Sequence, residues 1–262
     1  MKKIEAVIFD WAGTTVDYGS FAPVQAFMEA FRRFGITPTA DEVRKPMGIA
    51  KIDHVREMLK MDRLSMMWQE VHGREYTEDD VREIYEMSER LIIDIVADFA
   101  VPKPYVLETI EQLRERDIKI GSTTGYNDEM MEIVATAAAQ NGFVPDVYFT
   151  PDSVDKIGRP YPYLIYQNMM ALKVKSVDGV IKVGDTVADI IEGKNAGVVT
   201  VGIVEGSSIL GYSLEEYEAL TPEEKLAAKE RVVRAYKECG TDYIIDDIRG
   251  LIDVINGIEQ TA

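Results

Sequence analysis

The residues of this sequence best suited to chemistry follow short apolar segments, at positions where a strand would meet a loop. Asp10 stands directly after Ala6–Phe9, with small residues close behind it. A carboxylate at the end of a buried strand can attack phosphorus or bind a metal ion. A lone acid in that place can equally cap the next turn, so its interpretation depends on the other loops.

Two later loops carry groups that suit phosphate. Ser122–Tyr126 supplies hydroxyl and backbone N–H groups, with Thr124 at its centre, just before a helix expected to start near Asn127. Lys156–Pro160 places Arg159 on a turn before another helix, where a guanidinium can hold phosphate oxygens in a fixed fork. Both loops predict phosphate binding.

A pair of acids gives the most specific signal. Asp185 and Asp189 are one helical turn apart and follow the apolar segment Val180–Val183. Carboxylate oxygens are the ligands that a hard divalent cation such as Mg²⁺ prefers. The spacing therefore predicts a Mg²⁺ site at this loop.

These loops need a scaffold that brings their ends together. Short β-rich apolar segments alternate with helical patterns, as in parallel sheets whose strands are buried on both faces. Ligands of such sheets bind beyond the carboxyl ends of the strands. We therefore predict an α/β fold with a Rossmann-like parallel sheet. Its strands are expected at Ile4–Phe9, Ile118–Thr123, Val147–Phe149, Val180–Val183, Val198–Val204 and Tyr243–Ile245.

About a hundred residues separate the first two strands, far more than a crossover needs, and their pattern is helical. Capping boxes are predicted at Thr39–Glu42 and Thr77–Asp80, and a further helix is predicted from about Ala50 to Met61. The simplest explanation is a helical cap inserted into the sheet domain. The predicted domains are a core of residues 1–20 and 100–262 and a helical cap of residues 21–99.

Composition excludes several functions. The formal net charge of -17 opposes binding to nucleic-acid phosphates, and no basic run offsets it. The single cysteine, Cys239, rules out an intrachain disulfide and fits a reducing compartment. Ala6–Phe9 is too short for a secretion signal, and no apolar run approaches the roughly 20 residues that cross a bilayer. We expect a cytoplasmic protein that neither binds nucleic acid nor spans a membrane.

Taken in order, these loops resemble the haloacid dehalogenase superfamily of aspartate-nucleophile phosphotransferases. The resemblance implies that Asp10 is the nucleophile and a Mg²⁺ ligand, and that Asp185 completes the metal site. It implies phosphate binding by Thr124 and Arg159, and a supporting role behind the metal for Asp189. Cations beside the phosphoryl oxygens would let an anionic carboxylate approach an anionic phosphorus.

Ala12 departs from the superfamily pattern. Phosphatases of the superfamily carry a second Asp two residues after the nucleophile, which protonates the leaving group and then activates water. Ala12 occupies that position here. An ordinary phosphate ester would therefore lack its acid and base, and the leaving group needs another device.

Lys51 offers such a device. It lies three residues before His54 on one helical face, just after a glycine turn at Gly48. Alone it resembles a surface lysine, but beside Ala12 it has a use, because an imine between a lysine and a substrate carbonyl is an electron sink. The amine must be neutral to attack, so we predict a lowered pKa for Lys51. We expect His54 to shuttle protons during imine formation.

The combination closely resembles the phosphonatase branch of the superfamily over nearly the whole chain. The resemblance rests on Phe9–Gly19, on Lys45–Gly48 with Lys51 and His54, and on Gly121–Tyr126. It implies hydrolysis of the C–P bond of phosphonoacetaldehyde to acetaldehyde and phosphate, in the degradation of 2-aminoethylphosphonate.

The same resemblance assigns roles within the pocket. Lys51 would form the imine with the aldehyde, and Asp10 would receive the phosphoryl group as an aspartyl phosphate. Ala12 would lend its backbone carbonyl to Mg²⁺. The residues expected around the substrate are Met47, Gly48, His54 and Tyr126.

Two alternatives stay open. A phosphatase or phosphomutase of the same superfamily, acting on a small phosphate ester, explains Asp10 and Asp185 but leaves Ala12 and Lys51 unexplained. A non-catalytic protein that binds phosphonate or phosphate explains the fold but leaves the retained nucleophile unexplained.

The predicted partners are few. The resemblance implies a small phosphonate substrate, made from 2-aminoethylphosphonate by an aminotransferase. It also implies a homodimer, which we expect to form through the cap. Methionines at helical spacing suit either a core or a contact between two caps. These are Met58, Met61, Met66 and Met67.

Overall fold

The computed structural model describes residues 3–260. Residues 1, 2, 261 and 262, which the predicted core domain includes, lie outside the described residues. The core is a six-stranded parallel sheet of order β3-β2-β1-β4-β5-β6. Its strands are β1 Ala6–Phe9, β2 Lys119–Thr123, β3 Val147–Phe149, β4 Val180–Gly184, β5 Val199–Ile203 and β6 Tyr243–Ile245.

The sheet confirms the α/β prediction and explains why the polar loops meet. β1 lies at the centre and is buried on both faces, as its run of four apolar residues requires. Phe9 pairs in register with Ser122 on one side and with Val183 on the other. The loops that begin just after these three residues therefore leave the sheet at one edge, side by side.

Helices surround the sheet and fill the long interval between β1 and β2. Those of the interval are α1 Phe21–Arg33, α2 Ala40–Arg44, α3 Lys51–Leu59, α4 Asp62–His72 and α5 Glu78–Ile95. The later helices are α6 Val106–Glu115, α7 Asp128–Gln140, α8 Tyr163–Ala171, α9 Val187–Ala196, α10 Leu214–Ala219, α11 Pro222–Glu238 and α12 Gly250–Gln260. Single 3₁₀ turns occur at Val96–Phe99, Pro151–Val154 and Val177–Gly179.

The interval has a hydrophobic cluster of its own. Aromatic side chains such as Phe27, Phe31 and Trp68 pack there with aliphatic residues of α3 and α5. Both capping boxes predicted before α2 and α5 are present. The predicted helix from Ala50 to Met61 is shorter, because Lys60 and Met61 separate α3 from α4. The assignment of residues 21–99 to a separate cap domain stays a prediction, and we call them the cap segment.

The cap segment joins the core through two linkers that touch each other. Val16 of the outgoing linker forms a bridge with Pro102 of the returning one. Asp17 caps the first helix, since its carboxylate accepts hydrogen bonds from the N–H groups of Phe21 (2.8 Å) and Ala22 (3.0 Å). The beginning of the cap segment is thus fixed directly behind the Asp10 loop.

Two further expectations can be compared with the fold. The Cys239 thiol is half-buried. Met58 is buried in the cap cluster, whereas the side chain of Met66 is 57% exposed, so the dimer contact stays a prediction. Within residues 3–260, the helices are too short or too polar to cross a membrane.

Candidate active site

Asp10 is held by the turn that follows β1. Its N–H donates to the Val183 carbonyl (3.0 Å), and its own carbonyl accepts from the Thr15 hydroxyl (3.0 Å). Gly13 has a φ of +88°, and a Cβ there would lie 2.2 Å from Oδ2 of Asp185. Only glycine lets this turn approach so closely, which brings the carboxylates of Asp10 and Asp185 together.

Three buried carboxylates meet at the ends of β1 and β4. Oxygens of Asp10, Asp185 and Asp189 lie within 4.8 Å of one another. Asp185 accepts hydrogen bonds from the Thr14 hydroxyl (3.1 Å) and the Ser208 N–H (2.7 Å). Burial, and then the charges of Asp10 and Asp189, raise the pKa of Asp185 well above its ordinary value. These crowded oxygen donors fit a hard divalent cation.

Asp189 already has cationic partners. Its Oδ1 lies 2.9 Å from Nη1 of Arg159 and 2.9 Å from Nζ of Lys182. Its other oxygen closes a capping box with Thr186 at the start of α9. Burial raises the pKa of Asp189, but Arg159 and Lys182 outweigh that effect and lower it. Asp189 is therefore an anion that positions two cations, which leaves Asp10 and Asp185 as the carboxylates of the cluster that could bind a cation.

Arg159 connects the nucleophile to this charge network. Its guanidinium lies 2.7 Å from Asp10 Oδ1 and 3.0 Å from Glu192 Oε2, in addition to the contact with Asp189. Burial alone would lower the pKa of Arg159, but the carboxylates of Asp189 and Asp10 have the larger effect and raise the pKa above its ordinary value. Arg159 is thus permanently charged and fixed beside Asp10, where a bound phosphoryl group would place its oxygens.

The loop after β2 forms the opposite wall. Thr124 is buried, and its hydroxyl accepts a hydrogen bond from the Tyr126 N–H (3.1 Å). The following helix, α7, is capped by Asn127, whose side chain accepts from the Met130 N–H (2.9 Å). Thr124 and Tyr126 line the same cavity as Asp10, as the phosphate-binding prediction requires.

Lys51 enters this cavity from the cap segment. It is the first residue of α3 and is buried, with Nζ 5.0 Å from the ring centroid of Tyr126 and 5.8 Å from that of Phe27. Burial lowers the pKa of Lys51 to about 8, an effect that Asp10 partly offsets and Arg159 reinforces. The predicted direction is confirmed, and burial is its main cause.

His54 lies behind Lys51 and does not line the cavity. Its ring stacks on Phe27 with centroids 4.1 Å apart, and it is fully buried. Burial, and then the charge of Lys51, lower the pKa of His54 well below its ordinary value, and the Val43 backbone offsets this only in part. The imidazole is therefore neutral near pH 7, and its predicted proton shuttle stays a prediction.

The cap segment lies closed over the site. Gly48 has a φ of +96°, and a Cβ there would lie 2.3 Å from the Thr186 hydroxyl oxygen. A Cβ on Gly125 would lie 2.7 Å from the Ile49 carbonyl oxygen. The cavity that remains has a volume of about 20 Å³, room for about one water molecule. A substrate must therefore enter through opening of the cap segment.

Most of the predicted site residues line this small cavity. A larger groove of about 760 Å³ on the cap segment contains none of them. Asp185 and Asp189 lie just below the cavity, in the carboxylate cluster. The predicted residues on its walls are Asp10, Ala12, Met47, Gly48, Lys51, Thr124, Tyr126 and Arg159.

The supporting groups were not predicted. Lys182 is fully buried and contacts the Thr123 hydroxyl (2.8 Å) as well as Glu192 (3.4 Å). Lys103, also buried, donates to the carbonyls of Gly13 and of Glu205 (2.7 Å), so it fixes the nucleophile loop. A lysine inside the apolar strand β4 was a detectable sign of a buried charge network. Nothing local distinguishes Lys103.

A comparison with protein families places most of the chain in one group. Residues 4–197 match the model of the haloacid dehalogenase-like hydrolases. The chain is 50% identical to a phosphonoacetaldehyde hydrolase of Bacillus cereus, over 98% of this chain and 97% of the relative.

Two further relatives extend this result. One is a bifunctional phosphonoacetaldehyde hydrolase/aminoethylphosphonate transaminase from Clostridioides difficile. The two proteins are 48% identical over 99% of this chain, which spans only 41% of that relative. The crystal structure of a phosphonoacetaldehyde hydrolase-like protein from Oleispira antarctica superposes with a TM-score of 0.94 at 35% identity. That match covers 98% of this chain and 93% of the other.

Proposed function

This chain belongs to the haloacid dehalogenase-like hydrolases and, within them, to the phosphonoacetaldehyde hydrolases, and we propose that it cleaves the C–P bond of phosphonoacetaldehyde through covalent links at Lys51 and Asp10. The observation that carries this mechanism is the buried Lys51 of the cap segment, which shares one small cavity with Asp10 and Ala12. An amine replaces the missing acid as the means of stabilising the leaving group.

The first step is imine formation. The neutral amine of Lys51 attacks the aldehyde carbonyl, and loss of water gives the imine. A pKa of about 8 leaves roughly a tenth of the amine neutral at pH 7. The imidazole of His54, one helical turn away in the same buried region, is neutral near pH 7 but a weak base, because burial and the charge of Lys51 lower its pKa. Its part in moving the protons of this step stays a prediction.

The second step transfers the phosphoryl group. The imine is protonated on nitrogen; a carboxylate oxygen of Asp10 attacks phosphorus, the C–P bond breaks, and its electron pair flows into the protonated imine to give a neutral enamine. The leaving carbon therefore needs no proton at this moment, which accounts for Ala12 at the usual acid position. Arg159 beside Asp10 and the loop of Thr124 stabilise the phosphoryl oxygens.

The last steps release both products. Protonation of the enamine carbon restores an imine, and water hydrolyses it to acetaldehyde and free Lys51. A second water hydrolyses the aspartyl phosphate on Asp10. One water is released on imine formation and two are consumed, so the net reaction is phosphonoacetaldehyde plus one water to acetaldehyde plus phosphate.

The site also fits a divalent metal, which we propose to be Mg²⁺. Asp10 and Asp185 would hold it with their carboxylates, and Ala12, which lines the same cavity, would add its backbone carbonyl. Such an ion neutralises negative charge on the phosphoryl group. The raised pKa of Asp185 supports this, because crowded carboxylates need a counter-cation to ionise together.

The alternatives are less well supported. A phosphatase or phosphomutase needs an acid where Ala12 stands, and it leaves the buried Lys51 of the same cavity without a use. A binding protein leaves Asp10 and the buried Lys51, which share one cavity, without a chemical use. A homodimer through the cap segment and a cytoplasmic location remain part of the proposal; sedimentation velocity tests the first.

The deciding experiment measures phosphate release from phosphonoacetaldehyde with Mg²⁺, in the native protein and in Lys51→Arg. Arginine keeps the charge but forms no imine. The control is Lys60→Arg, which changes an exposed lysine that follows the same helix. We expect turnover by the native protein and the control, inactivation of both by borohydride with substrate, and no turnover by Lys51→Arg. Native rates in Lys51→Arg would refute the mechanism.

A further inference from the structure

Arg44 is a residue of the cap segment that reaches the core beside the carboxylate cluster. It is the last residue of α2, and its guanidinium donates to the carbonyl of Gly19 in the linker and to that of Ser208 in the core (3.1 Å). The same guanidinium lies 5.0 Å from the ring centroid of Phe21. Arg44 therefore ties the cap segment, the linker and the core together in the closed state.

Ser208 is also the residue that orients Asp185. Its N–H donates to Oδ2 of Asp185 (2.7 Å), while Oδ1 accepts from the Thr14 hydroxyl (3.1 Å). Each oxygen of the Asp185 carboxylate thus accepts one of these hydrogen bonds. One of the two donors is Ser208, and the carbonyl of Ser208 is bound by Arg44. The path from the cap segment to Asp185 is two hydrogen bonds long.

Hydrogen bonds within the loop that carries Ser208, and one from the core, fix its shape. Within it, the N–H of Gly211 donates to the Ser207 carbonyl (3.0 Å), and the N–H of Leu210 donates to the Ser207 hydroxyl (3.0 Å). Arg231 of α11 holds the Leu210 carbonyl (2.9 Å) from the core side. Opening of the cap segment would remove the bond from Arg44 but keep the one from Arg231.

We propose that Arg44 is a positioning residue that couples closure of the cap segment to the orientation of Asp185 through Ser208. This inference rests on the proposed role of Asp185 in holding a divalent metal. Coupling of this kind is reciprocal: closure tightens metal binding, and metal binding favours closure by the same factor. The metal site would thus be complete only when the cap segment is closed.

The test uses Arg44→Gln and two readouts that need no turnover. Calorimetry gives the Mg²⁺ dissociation constant of the metal-free protein. Peroxide oxidation of Met47, followed by mass spectrometry, reports opening, because Met47 is buried in the closed cavity whereas Met66 is exposed and serves as the internal reference. The matched control is Arg63→Gln, since Arg63 bonds only to residues of the cap segment in the described part of the chain.

We expect Mg²⁺ to slow Met47 oxidation in the native protein and in Arg63→Gln. In Arg44→Gln, Mg²⁺ should bind at least about tenfold more weakly, and its protection of Met47 should fall by a similar factor, the scale of one charged hydrogen bond. Should Arg44→Gln not fold, Arg44→Lys, which keeps the charge but lacks the planar fork, should show smaller losses in both readouts.

The possible failures can be told apart. If the native protein binds no Mg²⁺, the proposed metal is wrong and the coupling with it. If the native protein binds Mg²⁺ and the Arg44 variant matches it in both readouts, the coupling alone is wrong. A weaker affinity with unchanged protection of Met47 would also overturn it, because Arg44 would then act on the metal site without closure.

Discussion

Replacing Lys51 by methionine should abolish activity and stabilise the protein at neutral pH. The pKa of Lys51 is lowered from 10.5 to about 8, chiefly by burial. At about 1.4 kcal/mol for each pH unit, the protonated amine costs the fold about 3 kcal/mol. Methionine has a similar length and no charge, so it removes this cost.

The pH dependence identifies the cause. Because the folded-state pKa lies below that of the unfolded chain, the cost is fully present below about pH 8 and disappears as the pH rises towards 10.5. The stability gained by Lys51→Met should therefore be about 3 kcal/mol at pH 6.5 and roughly half of that at pH 9.5. The gain in packing from a buried thioether adds a part that does not change with pH.

The assay is urea unfolding of metal-free protein at several pH values, with the difference between variant and native protein plotted against pH. Lys175→Met, at an exposed position, is the control and should show a flat difference near zero. A flat difference for Lys51→Met as well would refute the reasoning, since Lys51 would then titrate in the folded protein as it does in the unfolded chain.

Three further predictions concern the closed site. Gly125→Ala should lower kcat/KM for phosphonoacetaldehyde at least about tenfold with little change in the unfolding midpoint. The added Cβ would lie 2.7 Å from the Ile49 carbonyl oxygen and oppose closure of the cap segment. Native activity in this variant would contradict the close approach. Arg159→Lys should lower kcat about 100-fold in a steady-state assay, because an ammonium lacks the planar fork with which Arg159 contacts Asp10, Asp189 and Glu192 at once. A change confined to KM would contradict its role at the transition state. Chelation of divalent metal should stop phosphate release but leave borohydride trapping of Lys51 by acetaldehyde intact, and loss of both would show that the imine also depends on the metal.

Much of the sheet could be predicted from the sequence because its strands are short, apolar and β-rich. Val147–Phe149 and Tyr243–Ile245 have the predicted bounds, and the four other strands differ by one or two residues at their ends. The helix predicted to reach Met61 ends at Leu59, since nothing in the residue pattern marks the break between two successive amphipathic helices. The strand order was not predicted, because pairing depends on contacts between distant segments.

The site residues also divide into those that the sequence reveals and those that only the fold brings together. Asp10, Thr124 and Asp185 could be found because each follows a strand that the sequence reveals. The Arg44 contact with Ser208 joins residues 164 positions apart, and a local pattern cannot foresee it. Lys182 lies between these two cases. A lysine within a buried strand predicts anionic partners, but the sequence does not identify them.

The depth at which Lys51 is buried links closure of the cap segment to chemistry. Since burial is the main cause of the lowered pKa, opening of the cap segment should return the amine to the pKa of an exposed lysine. At pH 7 the neutral fraction would then fall from roughly a tenth to a few parts in ten thousand. The neutral amine is therefore abundant only while the cavity is closed, when bulk water is kept away from the proposed imine. Neutral amine would be a few hundred times scarcer in the open site, so the same burial that costs stability also favours reaction in the closed site.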